Sequence, residues 1–187
     1  MLFFGRLRPY KGLEYLLSAF ELLSKAEPSY RLVIAGESKK GSEAYYESIQ
    51  NRIASHPNRD RIISRVEFIP DQDAEVYLKA ADVMVLPYID IFQSGILFLS
   101  YSFGLPVVAA DVGAFREEII DGKTGFICRP CDSMDLAKAL ETYFTSDLFR
   151  GLASFRRQIQ EYASTEHSWE AVAALTRRAY EGMLGID

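Results

Sequence analysis

Two kinds of apolar segment alternate along this chain, and the alternation restricts its fold more than any other feature. Short runs of strand character occupy residues 1–5, 31–36, 65–69, 82–87, 106–111 and 125–129. Between them lie segments with helical spacing. The clearest places Leu13, Leu16, Leu17, Phe20 and Leu23 on one stripe of a helix ending near Ala26. Further helices are predicted over 42–55, 74–81, 94–103, 114–120 and 132–144, the last opening on Asp132 as N-cap with Asp135 three residues on. Strands this short, rich in Val and Ile and apolar on both faces, suit a parallel sheet with helices on each side. The expected fold is therefore α/β, a Rossmann-like doubly wound parallel sheet of about six strands.

After residue 144 the strands stop. Residues 147–162 read as one helix weakened by Gly151, and 168–184 as another with Trp169, Val172, Thr176, Ala179, Tyr180 and Met183 on one side. No internal repeat, low-complexity tract or flexible linker interrupts the chain. The expectation is a single domain over 1–187, with an α/β core at 1–144 and C-terminal helices at 145–187. The chain opens directly on a strand, Met-Leu-Phe-Phe-Gly, so it reads as half of a larger architecture.

At 187 residues and 49% hydrophobic composition the chain is long enough to bury a real core. No run approaches the ~18 apolar residues of a membrane span, and the first residues lack the pattern of a signal peptide. A net charge of −5 argues against general nucleic-acid binding, which needs clustered Lys and Arg. Two cysteines are too few for a disulfide framework, so the chain reads as cytoplasmic. Cys128 and Cys131 spell C-x-x-C, the pattern of a redox dithiol, with Cys131 just ahead of a helix start that would stabilise a thiolate. The favoured reading is two half-buried small residues, because a zinc site would want two further ligands and none is spaced nearby.

Ligands of doubly wound sheets sit where strand C-termini meet the following loops, so functional residues are sought just after Gly5, Gly36, Ile69, Pro87, Asp111 and Arg129. The first such loop, Gly5-Arg6-Leu7-Arg8-Pro9-Tyr10-Lys11-Gly12, sets three cations between glycines at a strand-to-helix junction, where amides and the helix dipole already favour an anion. It reads as a phosphate site or as solvated surface cations on a turn. It matches neither G-x-x-x-x-G-K-[ST] nor G-x-G-x-x-G, so neither a P-loop ATPase nor a nicotinamide-binding protein is supported. A second junction, Gln93-Ser94-Gly95-Ile96-Leu97, opens an apolar helix. There Ser94 suits an N-cap and Gly95 lets a ligand approach the backbone.

The combination is more specific than its parts. G-R-L-x-x-x-K-G from Gly5, L-V-I-A-G from Leu32, A-A-D-V-M-V-L-P from Ala80, G-L-P-V-V-A-A-D-V-G from Gly104 and E-x-x-x-D-G-x-T-G-F from Glu117 follow one another in an order that resembles the C-terminal half of retaining GT-B glycosyltransferases. These are the group 1 enzymes that include lipopolysaccharide, capsule and glycogen-type synthases. The resemblance covers nearly the whole chain, including the ending Ser168-Trp169-Glu170. It implies one half of a GT-B fold that binds a nucleotide-diphosphate sugar and transfers the sugar to an acceptor with retention, in polysaccharide or glycoconjugate synthesis. Arg6 and Lys11 would act on the donor diphosphate, Gly5, Ser94, Gly95 and Ile96 would line the donor site, and Glu117 matches a family glutamate. Glu117 equally suits a first-turn acid that complements its helix dipole.

Neither a metal nor a cofactor is implied, since side chains carry the charge. A sugar, lipid or glycan acceptor would be held by an N-terminal domain that is absent here. The isolated chain would be inactive, and the full-length enzyme would sit in the cytoplasm or on the inner face of a membrane. The terminal helix would pack across that other domain, and in its absence would expose apolar surface and promote self-association.

The sequence also departs from the family. Two glutamates eight positions apart are common there, yet counting back from Gly104 those positions hold Ile91 and Leu99, and a one-residue shift gives Phe92 and Ser100. Asp90 lies beside the first position but not on it. The Gln-Ser-Gly loop resembles that of members lacking the second glutamate, and it removes the carboxylate expected to hold the nucleotide ribose. That departure motivates an alternative, a non-catalytic nucleotide-sugar sensor or a pure interaction module; a sugar-nucleotide epimerase is weaker because its motifs differ. Glu37, Lys39 and Lys40 lie at the ligand-facing end of the second strand and read as a solvated loop. His56 and His167, isolated among polar residues, receive no role.

Overall fold

The computed structural model describes residues 1–39, 41–166 and 169–185. Lys40, His167 and Ser168 therefore lie outside the described residues. In chain order the elements are β1 (Leu2–Phe4), α1 (Leu13–Ala26), β2 (Leu32–Ala35), α2 (Glu43–Ala54), β3 (Ile62–Arg65), α3 (Asp71–Ala80), β4 (Met84–Leu86), α4 (Gly95–Ser102), β5 (Val107–Ala110), α5 (Phe115–Glu118), β6 (Gly125–Cys128), α6 (Ser133–Thr145), α7 (Asp147–Arg150), α8 (Leu152–Glu166) and α9 (Trp169–Leu184). The six strands form one parallel sheet in the order β3-β2-β1-β4-β5-β6. The expected doubly wound α/β class is what the chain adopts.

Burial explains the strand composition. β1, β4 and β5 are buried along their whole length, because helices cover both faces of the sheet and leave no polar side for alternation to mark. α1 packs against α2 and α6, while α4 packs against α8. The stripe on α1 is buried as its spacing requires: Leu13, Leu16, Leu17, Phe20 and Leu23 all enter the core. α1 and α2 are also joined through buried His56, whose Nε2 lies 3.0 Å from the Leu17 carbonyl and whose Nδ1 accepts from the Asn58 amide at 3.1 Å. That ring is a structural connector.

The third strand is displaced from its predicted position. It runs over Ile62–Arg65, paired from Leu32↔Ile62 to Ala35↔Arg65, rather than over 65–69. The Gly36 amide donates to the Arg65 carbonyl at 3.0 Å, and the ladder ends there. The apolar signal of Val66, Phe68 and Ile69 belongs to the following loop, and Phe68 is exposed. As an edge strand, β3 buries only Ile62, so it carries little of the apolar pattern that marks the central strands.

The helix predicted over 147–162 is two helices, broken at Gly151, where the backbone leaves helical geometry (φ −101°, ψ 21°). Arg156 on α8 donates to the carbonyls of Phe103, at 3.3 Å, and of Ala81, so α8 belongs to the body of the core. The N-cap expectation at α6 is met: Asp132 accepts from the amides of Met134 (3.0 Å) and Asp135 (2.9 Å). Asp135 turns back to the Arg129 amide at 2.8 Å, tying the end of β6 to this helix. α9 leaves Val172, Tyr180 and Met183 exposed, together with Leu175 and Leu184. No helix among the described residues is long and apolar enough to cross a membrane.

Candidate functional site

The strand order reverses between β1 and β4, the two strands that leave in opposite directions across the sheet. Their C-terminal loops diverge there and leave a crevice, the place where sheets of this kind hold ligands. A cleft of ≈ 610 Å³ occupies that point, lined by Gly5, Arg6, Arg8, Tyr10 and Lys11 from the first loop and by Tyr88, Ile91, Gln93, Ser94, Gly95 and Ile96 from the fourth. Six of the seven residues singled out from the sequence are thus brought together. Glu117, the seventh, is exposed on α5 and does not line the cleft. Another cavity, of ≈ 480 Å³, lies at the opposite end of the sheet around Met1, Tyr30, Asp82 and Phe144, and holds none of them.

Several contacts fix the two loops to each other. Gly12, the N-cap of α1, has φ +63°, and a Cβ there would lie 2.1 Å from the Pro87 carbonyl oxygen. The Ile89 amide donates to the Tyr10 carbonyl at 2.7 Å, and the Tyr10 ring meets the Tyr88 ring edge-on at 5.9 Å. On the far side of the fourth loop, the Ala114 amide donates to the Phe92 carbonyl at 3.1 Å. Gly5 is constrained mainly by its backbone, at φ +105°; a Cβ there would lie 3.1 Å from Lys11 Nζ and 3.3 Å from the Ile96 side chain.

Lys11 is only 5% exposed, and its ammonium lies 5.2 Å from the centroid of the Tyr88 ring. Among the described residues no carboxylate lines the cleft. Burial, reinforced by the neighbouring Arg6 charge, pulls the Lys11 pKa down to about 8. A buried cation beside two further cations, in a chain of net charge −5, marks a place prepared for an anion.

Arg6 is more open, its side chain 57% exposed, and its Nε donates to Glu37 at 2.9 Å. An ion pair this exposed is worth about 1 kcal/mol or less, so an entering anion competes for it readily. Arg8 stands in the same cleft, half-buried and donating to Ser42 at 3.3 Å. All three cations of the first loop thus line the cleft. Glu37 and Lys39 line a separate depression beside Phe68.

At the other wall, Ser94 occupies the N-cap position of α4, but its side chain caps none of the helix amides. The expected cap is absent, and the amides of Gly95 and Ile96 open on the cleft. Nothing lies within 4 Å of a Cβ placed on Gly95, whose backbone is helical. A larger residue would fit the free protein and would clash only with something bound. Gly95→Val is therefore expected to leave the urea midpoint within about 0.5 kcal/mol of wild type and to weaken nucleotide binding about tenfold, measured by calorimetry. Ile91 lines the cleft, and Leu99 is packed against the core.

The C-x-x-C pair separates. Cys128 is buried, and burial pushes its thiol up to about 12, which keeps it protonated. Cys131 is exposed rather than half-buried, and is the single described non-glycine residue at positive φ, +56°. Among the described residues no group of three or more His, Cys, Asp or Glu is arranged around a metal position.

Tyr88 was not singled out in the sequence, and Arg8 and Tyr10 entered it only as members of the first loop, without an assigned contact. The signal for Tyr88 was its place immediately after Pro87, at the C-terminal end of β4.

The chain is 30% identical over 185 residues to the phosphatidyl-myo-inositol mannosyltransferase of Mycobacterium leprae, an alignment that covers 97% of this chain and 46% of that protein. It spans less than half the length of that relative. Its fold is similar to the C-terminal domain of the glycosyl transferase group 1 family protein LpcC from Francisella tularensis, with a TM-score of 0.77 and 18% identity over 90% of this chain and 85% of that one. It is also similar to Anabaena HepE solved in complex with UDP, with a TM-score of 0.80 and 22% identity over 98% of this chain and 48% of that one. The family described as glycosyl transferases group 1 matches residues 1–166. With a six-stranded Rossmann-like sheet of the kind found in GT-B C-terminal domains, and that match over most of its length, the chain belongs to the glycosyl transferases group 1 family.

Proposed function

We propose that this chain is the donor-binding half of a glycosyltransferase, and that the cleft between β1 and β4 holds the diphosphate of a nucleotide-diphosphate sugar. The observation that carries the reading is Lys11, a buried cation with no anion beside it, facing the uncapped start of α4. Lys11 and Arg6 act on the leaving group: as the sugar–phosphate bond breaks, its electron pair stays on the diphosphate oxygen. Fixed cations and helix amides stabilise the growing charge more than they stabilise the bound donor. Gly5, Ser94, Gly95 and Ile96 supply backbone approach and amides, so the charge is met without a metal or cofactor.

The family resemblance supports transfer with retention of configuration, in polysaccharide or glycoconjugate synthesis. The acceptor, a sugar, lipid or glycan, lies on a second domain, so this chain alone performs no transfer. Glu117, away from the cleft wall, is the weakest of the assigned contacts and acts from its margin. The enzyme works in the cytoplasm, with the full-length protein at the inner face of a membrane, and the exposed side of α9 supports self-association of the isolated chain.

A thermal-shift panel of UDP, GDP, ADP and their sugars tests the donor site. A ligand at 100 times its Kd stabilises by about 2.7 kcal/mol, a rise of roughly 5–10 °C for a domain of this size. No shift with any nucleotide at millimolar concentration would remove the reading.

A further inference from the structure

The Lys11 ammonium has given up its water without gaining a carboxylate in exchange. It is 5% exposed, and Arg6 and Arg8 stand in the same cleft with charges of the same sign. Burial and like charge both favour release of its proton. Yet the diphosphate is met by this group in its charged form. One neighbour acts in the other direction: the Tyr88 ring, over whose face Nζ lies, 5.2 Å from the centroid. The face of an aromatic ring is electron-rich, and its attraction for a cation is largest where water is excluded.

The packing around Tyr88 holds that face still. The residue is wholly buried, with Tyr10 edge-on at 5.9 Å and Phe115 tilted at 5.7 Å. Among the described residues its Oη is the single buried side-chain polar atom with no hydrogen-bond partner, so what Tyr88 offers the cleft is its ring. The other groups around the ammonium leave that role unshared. Arg6, Arg8 and Tyr10 come from its own loop, Glu37 is held by Arg6 at 2.9 Å, and the fourth loop and α4 line the cleft with uncharged side chains.

Building on the donor-site reading, we propose that Tyr88 is a positioning residue whose ring stands in for the missing counter-ion, holding the Lys11 ammonium charged and in place until a diphosphate enters. A carboxylate in that position would hold the cation more strongly, but it would also repel the incoming phosphates and compete with them for the ammonium. A ring carries no net charge. It steadies the cation while leaving the whole positive charge for the ligand, and Tyr88 thereby acts on the donor through Lys11, without touching it.

The test compares wild type with Tyr88→Phe, Tyr88→Leu and Tyr88→trifluorophenylalanine, whose fluorines strip the ring face of its negative character at nearly unchanged size. Two quantities are read: the titration of the Lys11 side chain by NMR, assigned by its loss in Lys11→Met, and UDP affinity by calorimetry across pH. Tyr88→Phe discards only the unpartnered hydroxyl and is expected to match wild type in both. Tyr88→Leu and the fluorinated ring are expected to lower the Lys11 midpoint by about 0.5–1 pH unit. Their UDP affinity should then fall about two- to fivefold at about pH 8 and stay within about 1.5-fold of wild type at about pH 6, where Lys11 is charged in every variant. Lost packing alone would weaken binding equally at both. Where Tyr88→Leu fails to fold, the fluorinated ring decides. A Tyr88→Phe variant as impaired as Tyr88→Leu would assign the effect to the hydroxyl, and a midpoint unmoved by the fluorinated ring would leave the ring with packing alone; either overturns the proposal. If wild type binds no UDP while the midpoint still follows the ring, the donor-site reading falls and the hold of Tyr88 on Lys11 stands.

Discussion

Lys11→Met is expected to weaken UDP or GDP binding by 10- to 100-fold, roughly the loss of one charge-assisted hydrogen bond, and at the same time to stabilise the free protein. Both effects have one origin. The ammonium is buried without a counter-charge and next to Arg6, so the folded state holds its proton less tightly than the unfolded chain does. Because the folded pKa is depressed to about 8, the unfolded state binds more protons from there up to the ordinary lysine range. Stability therefore rises with pH across that window, and the penalty is full below it. Subtracting the pH dependence of Lys11→Met from that of wild type isolates this contribution. Nucleotide binding has the opposite trend and weakens as pH climbs past about 8 and the free site loses its charge.

The two arginines provide the contrast. Arg6→Ala should also cost affinity, because its exposed pairing with Glu37 yields readily to a diphosphate. Arg8→Ala should cost the least: Arg8 lines the cleft, but its guanidinium is turned to Ser42 and it must leave that hydroxyl to meet a ligand. Calorimetry on the three variants at two salt concentrations separates them. Equal losses that vanish with added salt would reduce the cleft to a basic surface.

Gly12→Val should be the most damaging single change in the first loop, destabilising by on the order of 3 kcal/mol. A β-branched residue is strained at φ +63°, and its Cβ would enter the Pro87 carbonyl, a backbone atom that cannot rotate away. The urea midpoint should fall with no change in slope, and nucleotide binding should fall with it, since this contact holds the two walls in register. A variant with wild-type stability would mean that the first loop moves freely against β4.

Most of the scaffold was legible because its signals are dense. The α1 stripe repeats five times over eleven positions, and the central strands are apolar on both faces, so neighbouring residues agree on what each segment is. Legibility failed where a segment has one-sided or divided loyalties. β3 is an edge strand whose partner ends at Gly36, a limit set by another part of the chain, so the richer apolar run of Val66, Phe68 and Ile69 drew the prediction past its true end.

At the site, glycines and cations beside strand ends were visible, because a strand-to-helix junction announces itself locally. The placing of Arg8 and Tyr88 in one cleft was not, since it depends on which residues of two loops about 80 positions apart come to face one another. Nor could the sequence show that Ser94, in an ideal capping position, leaves its helix uncapped.

The divided cysteine pair has a practical use. With Cys128 locked away as a buried thiol and Cys131 standing in solvent after β6, at the same end of the sheet as the cleft, a maleimide should react at one position only. A fluorophore there needs no engineered cysteine and no background mutations. It would report from the loop after β6, at the same end of the sheet as the first turn of α1, the helix that Gly12 caps. The native chain therefore already carries the attachment point for an optical sensor of ligand entry.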